Sequence, residues 1–168
     1  MYTEISHQAT IEITQVIDVA PNSARAFFQN GELIRYGQLN LYDVNCEIEI
    51  NTVAEKIQQI SPGIYDVIAI RQEQSPIVNR VNTKPVMVAS LSSSWPTELA
   101  FSSSSDSPVD IKLYYHFRLA AKKPAENTGQ TQVRAVICRG AQSEPFDARL
   151  PTYEEIKAAS GQYMIFNL

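Results

Sequence analysis

Between residues 5 and 19 the odd positions carry Ile5, His7, Ala9, Ile11, Ile13, Gln15, Ile17 and Val19, while the even ones are mostly Ser, Gln, Thr, Glu and Asp. A period of two is the pattern of a half-buried strand. Pro21, Asn22 and Ser23 supply a turn, and 24–29 runs into Asn30-Gly31, the pair best suited to the positive backbone angles of a tight hairpin. A second strand is expected to leave at Glu32. From there the apolar parity changes: Leu33, Leu39 and Leu41 are odd, whereas Val44, Cys46, Ile48 and Ile50 are even, which predicts a bulge or strand break near Tyr42.

Thr52 and Glu55 have the spacing of a capping box, Val53, Ile57 and Ile60 follow at helical intervals, and Ser61-Pro62-Gly63 stops the segment, so a short helix is predicted. Residues 64–70 are apolar on both parities and read as a strand buried on both faces. Residues 72–84 read as a polar loop and 85–91 as another strand. Nine of the eighteen residues from 90 to 107 are Ser, with Trp95 and Phe101 among them, so this stretch reads as a surface loop pinned by two rings.

The alternation is cleanest over 109–119, with Val109, Ile111, Leu113, Tyr115, Phe117 and Leu119 on one face and Asp110, Lys112, Tyr114, His116 and Arg118 on the other. A polar loop over 122–130, a partner strand over 131–139 and a further loop over 140–149 follow. Pro151, Thr152 and Glu155 open a second short helix that Ser160-Gly161 closes, and 162–168 finishes as a strand. Seven or eight strands with two short helices make the chain mainly β, expected as one antiparallel two-sheet β-sandwich over 1–168, with a closed β-barrel as the alternative.

At 168 residues the chain is long enough to bury a core without a metal or disulfide, and its net charge of -4 sets it against a nucleic-acid surface. The first twenty residues lack a basic start and a continuous apolar stretch, so they are expected to be mature structure. No apolar run approaches the length of a membrane helix. Cys46 and Cys138 sit in strand-like segments far apart in sequence, and are expected as buried free thiols. With no Asn-x-Ser/Thr site, a soluble cytoplasmic protein is expected.

Six scattered glycines make no phosphate-cradling loop, no G-x-S-x-G elbow occurs, and two His and two Cys offer no zinc spacing, so neither cofactor nor metal is expected. What remains is a face of Lys112, Tyr114, His116 and Arg118, joined by Arg134 from the next strand, which suits an anion, a sugar or an acidic segment. Asp43, Asn45, Glu47, Glu49 and Asn51 form the opposite stripe. Same-face neighbours on a strand stand roughly 6.5 to 7 Å apart, a separation that fits paired carboxylates or calcium ligands, but a solvated face is the expectation. A nucleophilic Cys138 with His116 as base would need their strands to be adjacent.

The first functional expectation is a non-enzymatic binding or assembly protein that meets a protein partner, or itself, through loops and sheet edges, with Trp95 and Phe101 at the contact. The alternative is a small-ligand protein or enzyme using the Lys112, Tyr114, His116, Arg118 face. Nucleic-acid binding through Lys112, Arg118, Lys122, Lys123 and Arg134 is the third, opposed by the charge balance.

Overall fold

In the computed structural model, residues 9–77, 109–120 and 131–168 are described. His7, the strand expected at 85–91, the serine-rich stretch with Trp95 and Phe101, and Lys122 and Lys123 lie outside the described residues.

The first alternating run forms two strands, β1 (Thr10–Ile13) and β2 (Ile17–Val19), which bury Ile11, Ile13, Ile17 and Val19. The odd parity carries through both, but the chain leaves the first sheet between them, where Val16 is exposed. Next come β3 (Arg25–Gln29) and β4 (Glu32–Ile34), joined at Asn30 (φ 53°) and Gly31 (φ 79°), the two positive angles that the hairpin requires. The parity change near Tyr42 is a true break: a single 3-10 turn (Tyr36–Gln38) intervenes before β5 (Asn45–Ile50). The remaining elements are β6 (Gln58–Ile60), β7 (Gly63–Pro76), β8 (Ile111–Leu119), β9 (Val133–Arg139), α1 (Tyr153–Ser160) and β10 (Met164–Asn167).

Eight strands form one antiparallel sheet in the order β10-β1-β7-β8-β9-β5-β3-β4, and β2 pairs with β6 in a second. The mainly β, antiparallel class is as expected, but the strands divide eight and two, not into comparable layers. The large sheet curls. Phe117 of β8 and Phe166 of β10, three places apart in the strand order, bring their rings within 5.7 Å, and α1 packs against β10 as well as β3 and β5. Ile156 and Ala159 of α1, Ile17, Val19 and Ile60 of the small sheet, and Phe28, Ile48, Val136 and Phe117 of the large one belong to a single buried cluster.

One of the two expected helices forms. At α1 the capping box closes, with the Glu155 amide donating to Thr152 Oγ1 (3.3 Å) and the Thr152 amide donating to Glu155 Oε2 (2.8 Å). Residues 52–57 have the same spacing and no helix. There the Thr52 hydroxyl donates to Gln58 Oε1 (2.9 Å), Gln58 goes on to pair with β2, and Val53 and Ile57 stay exposed because no core lies beneath them.

Two strand expectations are likewise corrected. Ile64 and Ile68 are exposed while Tyr65 and Val67 are buried, so 64–70 buries one face only. Residues 72–76 continue β7 instead of forming a loop, because the long β8 offers a partner at each position from Gln72↔Tyr115 to Pro76↔Ile111.

The cysteines are not free thiols. The register sets Cys46 on β5 directly opposite Cys138 on β9, with Cα atoms 4.1 Å apart, and the two are disulfide-bonded across a sequence separation of 92. Sequence distance was a poor guide because sheet neighbours need not be chain neighbours. A disulfide persists in oxidising compartments, so the cysteines give no support to a cytoplasmic location. Among the described residues, no helix is long and apolar enough to cross a membrane.

Candidate functional site

The register fixes which side chains share the face turned away from the core. Phe27 and Arg25 of β3 stand opposite Glu47 and Glu49 of β5, Asn45 and Glu47 stand opposite Arg139 and Ile137 of β9, and Arg139 stands opposite Tyr114 of β8, with Lys112 and His116 flanking it. This face should be wet if nothing covers it. Part of it is covered: Asn45 and Glu47 are each 2% exposed and Lys112 is 5% exposed.

Among the described residues, the chain between β4 and β5 lies over this end of the face. Gln29, buried at the end of β3, accepts from the Asn40 amide (2.9 Å) and donates from Nε2 to the Asn40 carbonyl (2.8 Å), fastening that segment over the sheet. The Gln142 amide donates to the Leu41 carbonyl (2.9 Å), and Ser143 bridges to Ile111, so the stretch after β9 closes the same end. Tyr36, Leu39 and Leu41 thus form one wall and Ser75, Pro76 and Ile77 the other of a cleft of about 330 Å³, with Asn45, Glu47, Lys112 and Arg139 at its base and Arg25 at its side.

Glu47 Oε1 is 2.8 Å from Arg139 Nη2 and 3.4 Å from Arg25 Nη1. Arg25 also reaches Glu49 Oε2 at 3.2 Å, and Glu49 Oε1 lies 3.8 Å from Arg134 Nε. Two carboxylates therefore answer the two cleft arginines. Lys112 has no ion-pair partner among the described residues. Burial pushes its ammonium down to about 8, with repulsion from Arg139 adding to the effect and attraction from Glu47 opposing it. Beside it the Tyr114 hydroxyl donates to Glu73 Oε2 (2.8 Å), and the Arg139 guanidinium lies over the Tyr114 ring at 4.7 Å. Burial, then the Glu73 hydrogen bond, raises the Tyr114 phenol above its ordinary value.

The five basic-face residues are thus divided. Lys112 lines the cleft and Tyr114 braces its arginine. His116 turns to Glu73, with Nδ1 3.7 Å from Oε1, and does not line the cleft. Arg118 and Arg134 border a separate depression of about 370 Å³ with Asn51, Ile68 and Gln132. Trp95 and Phe101 lie outside the described residues.

Sequence reasoning missed Arg25, Glu47 and Arg139 as one cluster. Only the strand order brings together residues from β3, β5 and β9. The acidic stripe is solvated at its ends, Asp43 and Asn51, but not at its middle, where Asn45 and Glu47 are buried and Glu47 lies between arginines. Arg25 and Arg139 both engage Glu47 Oε1, and no group of three metal-ligating side chains occurs among the described residues. Cys138 is no nucleophile for His116. Their strands are adjacent as required, but Cys138 pairs with Tyr115 on the core face and its sulfur is held in the disulfide, whereas His116 pairs with Ile137 on the other face.

Comparison with known proteins finds no matching family model, curated protein or solved structure.

Proposed function

We propose that this chain binds a small monovalent carboxylate in the cleft over β5, β8 and β9. The observation that carries the reading is Lys112: a buried cation, lining a cavity, that forms no ion pair among the described residues and that Glu47 compensates only in part. A buried charge without a close partner is costly, and a ligand carboxylate would supply one through charge-assisted hydrogen bonds. Charge matching sets the valence. Glu47 and Glu49 are already shared among Arg25, Arg134 and Arg139, so the cation left for a ligand in the cleft is Lys112, which one carboxylate would pair. The cavity of about 330 Å³ has the size of a small-molecule site. Binding needs the ammonium form, so affinity falls as pH rises past about 8.

The test is a titration with butyrate followed in proton–nitrogen correlation spectra. Saturable shifts are expected at the amides of 45–47, 112–114 and 139, with affinity at least about tenfold weaker in Lys112→Met, from the roughly 1.5 to 3 kcal/mol of a charged hydrogen bond. Equal affinity in the two proteins, or no saturable shift, overturns the reading.

A second reading, assembly through a sheet edge, is favoured by one observation. Ile64 of β7 and Ile165 of β10 flank Glu12 on the outward side and are 59% and 47% exposed, two open apolar side chains, one of them on β10, the edge strand among the described residues. Light scattering of the wild type and of Ile64→Lys tests it: a dimer that the lysine dissociates supports this reading, and a monomer in both removes it.

A further inference from the structure

We infer that the ligand is an amphiphile, a single carboxylate at Lys112 that continues into an apolar tail lying in the groove beyond Phe27 and Tyr36. The inference rests on the carboxylate reading above and extends it to the rest of the molecule that the site would hold.

A second and larger cavity, about 640 Å³, adjoins the cleft. Arg25, Phe27 and Tyr36 line both, so these three side chains stand between the two depressions. Beyond the junction the groove is apolar, walled by Val19, Ala20, Pro21, Leu33, Ile34 and Ile57, with Asp18 and Arg35 out in solvent at its margin. Glu47, Lys112 and Arg139 line the cleft and not the larger cavity, whereas the charged residues that line the larger cavity, Asp18, Arg25 and Arg35, are exposed.

Tyr36 stands at the junction, 70% exposed, with its ring centroid 5.3 Å from that of Phe27. Ile57, which also lines the groove, is 61% exposed. Two large apolar side chains left open in the lining of one concave surface gain burial when something apolar occupies it. A peptide segment fits less well. The strand nearest the groove, β4, is three residues long and offers little edge for main-chain pairing, whereas an alkyl chain asks for no hydrogen bonds at all.

Calorimetric titration with butyrate and with decanoate, on the wild type, Lys112→Met, Tyr36→Ser and Ile57→Ser, separates head from tail. Tyr36 and Ile57 are exposed, so their replacement leaves the core intact. A fully buried methylene is worth roughly fourfold in affinity, so even partial cover of the longer chain predicts decanoate binding more tightly than butyrate by about tenfold or more. Each serine variant is expected to lower that ratio at least about twofold, and Lys112→Met to weaken both ligands. Equal affinities for butyrate and decanoate overturn the tail and leave the carboxylate site standing. A decanoate preference that Tyr36→Ser and Ile57→Ser leave untouched also overturns it. Decanoate binding unchanged in Lys112→Met overturns the carboxylate reading itself, and no saturable binding of either ligand overturns both.

Discussion

Removing the charge of Lys112 should make the protein more stable at neutral pH, and by an amount that pH erases. The lysine's ordinary value of 10.5 falls to about 8 in the fold. Below pH 8 the folded and unfolded chains both carry the proton, so the cost of burying the ammonium is borne in full. Between 8 and 10.5 the unfolded lysine keeps a proton that the folded one has released, and stability rises with pH. Above 10.5 the gain is complete. At about 1.4 kcal/mol for each unit of displacement, the rise amounts to about 3 kcal/mol. Met fills nearly the same volume without a charge, so Lys112→Met should be more stable than wild type at pH 7 by up to about 3 kcal/mol, less any packing mismatch. Urea unfolding followed by circular dichroism at pH 7, 8, 9 and 10 gives the comparison. The gap between the proteins should be widest at pH 7 and close by about 2 to 3 kcal/mol by pH 10. Tyr65 and Tyr114, whose phenols are raised by burial, oppose this near pH 10, since the stability they contribute is lost as the unfolded phenols ionise first; they are common to both proteins and cancel in the difference. Parallel stability curves from pH 7 to 10 would refute the assignment of a buried, unanswered charge to Lys112.

Three further variants probe the frame around the cleft. Glu47→Gln leaves Arg139, Arg25 and Lys112 together without their buried carboxylate and should cost about 3 to 5 kcal/mol in urea unfolding at pH 7, where a wild-type midpoint would show that the arginines find another partner. Replacing both Cys46 and Cys138 by Ala opens a loop of 92 residues and should lower stability by about 4 to 5 kcal/mol, read as a lower denaturation midpoint with an intact far-ultraviolet spectrum before unfolding. Gly161→Ala puts a Cβ 2.6 Å from the Gly31 Cα and 2.8 Å from its carbonyl oxygen, at a residue whose φ is +57°, so a loss of about 2 kcal/mol or more is expected. An unchanged melting temperature in that variant would mean that the end of α1 does not rest on the β3–β4 turn.

Local rules made much of the fold readable. The alternation of 109–119, the partner strand before Arg139, the Asn30-Gly31 turn and the capped helix at Thr152 each depend on neighbours a few residues away, and each is in place. The helix expected at 52–60 shows where such rules stop. Its cap and apolar spacing match those of α1, but a helix this short is stabilised mainly by the face it buries. Ile156 and Ala159 have a core to enter, whereas Val53 and Ile57 have none, and the competing pairing of Gln58 with β2 prevails. The disulfide was hidden for a related reason. Cys46 and Cys138 become opposite residues only once β5 is known to lie between β3 and β9, an order that the chain's own sequence of strands does not state.

The cleft was hidden more deeply, because alternation tells which side chains share a face and not which face meets water. Asn45, Glu47 and Glu49 on β5, and Lys112, Tyr114, His116 and Arg118 on β8, are polar at every second position, and a polar face is by default assigned to solvent. The default holds where Asn51, just past β5, and Arg118 of β8 are exposed, and fails where Asn45, Glu47 and Lys112 are buried. What separates the two is a lid of chain, 36–44, held down by the amide of Gln29. In the sequence Gln29 is an unremarked polar residue before a hairpin turn. The segment it holds turns part of a sheet surface into a low-dielectric cleft, and in such a place the charge of Lys112 costs far more than it would in water.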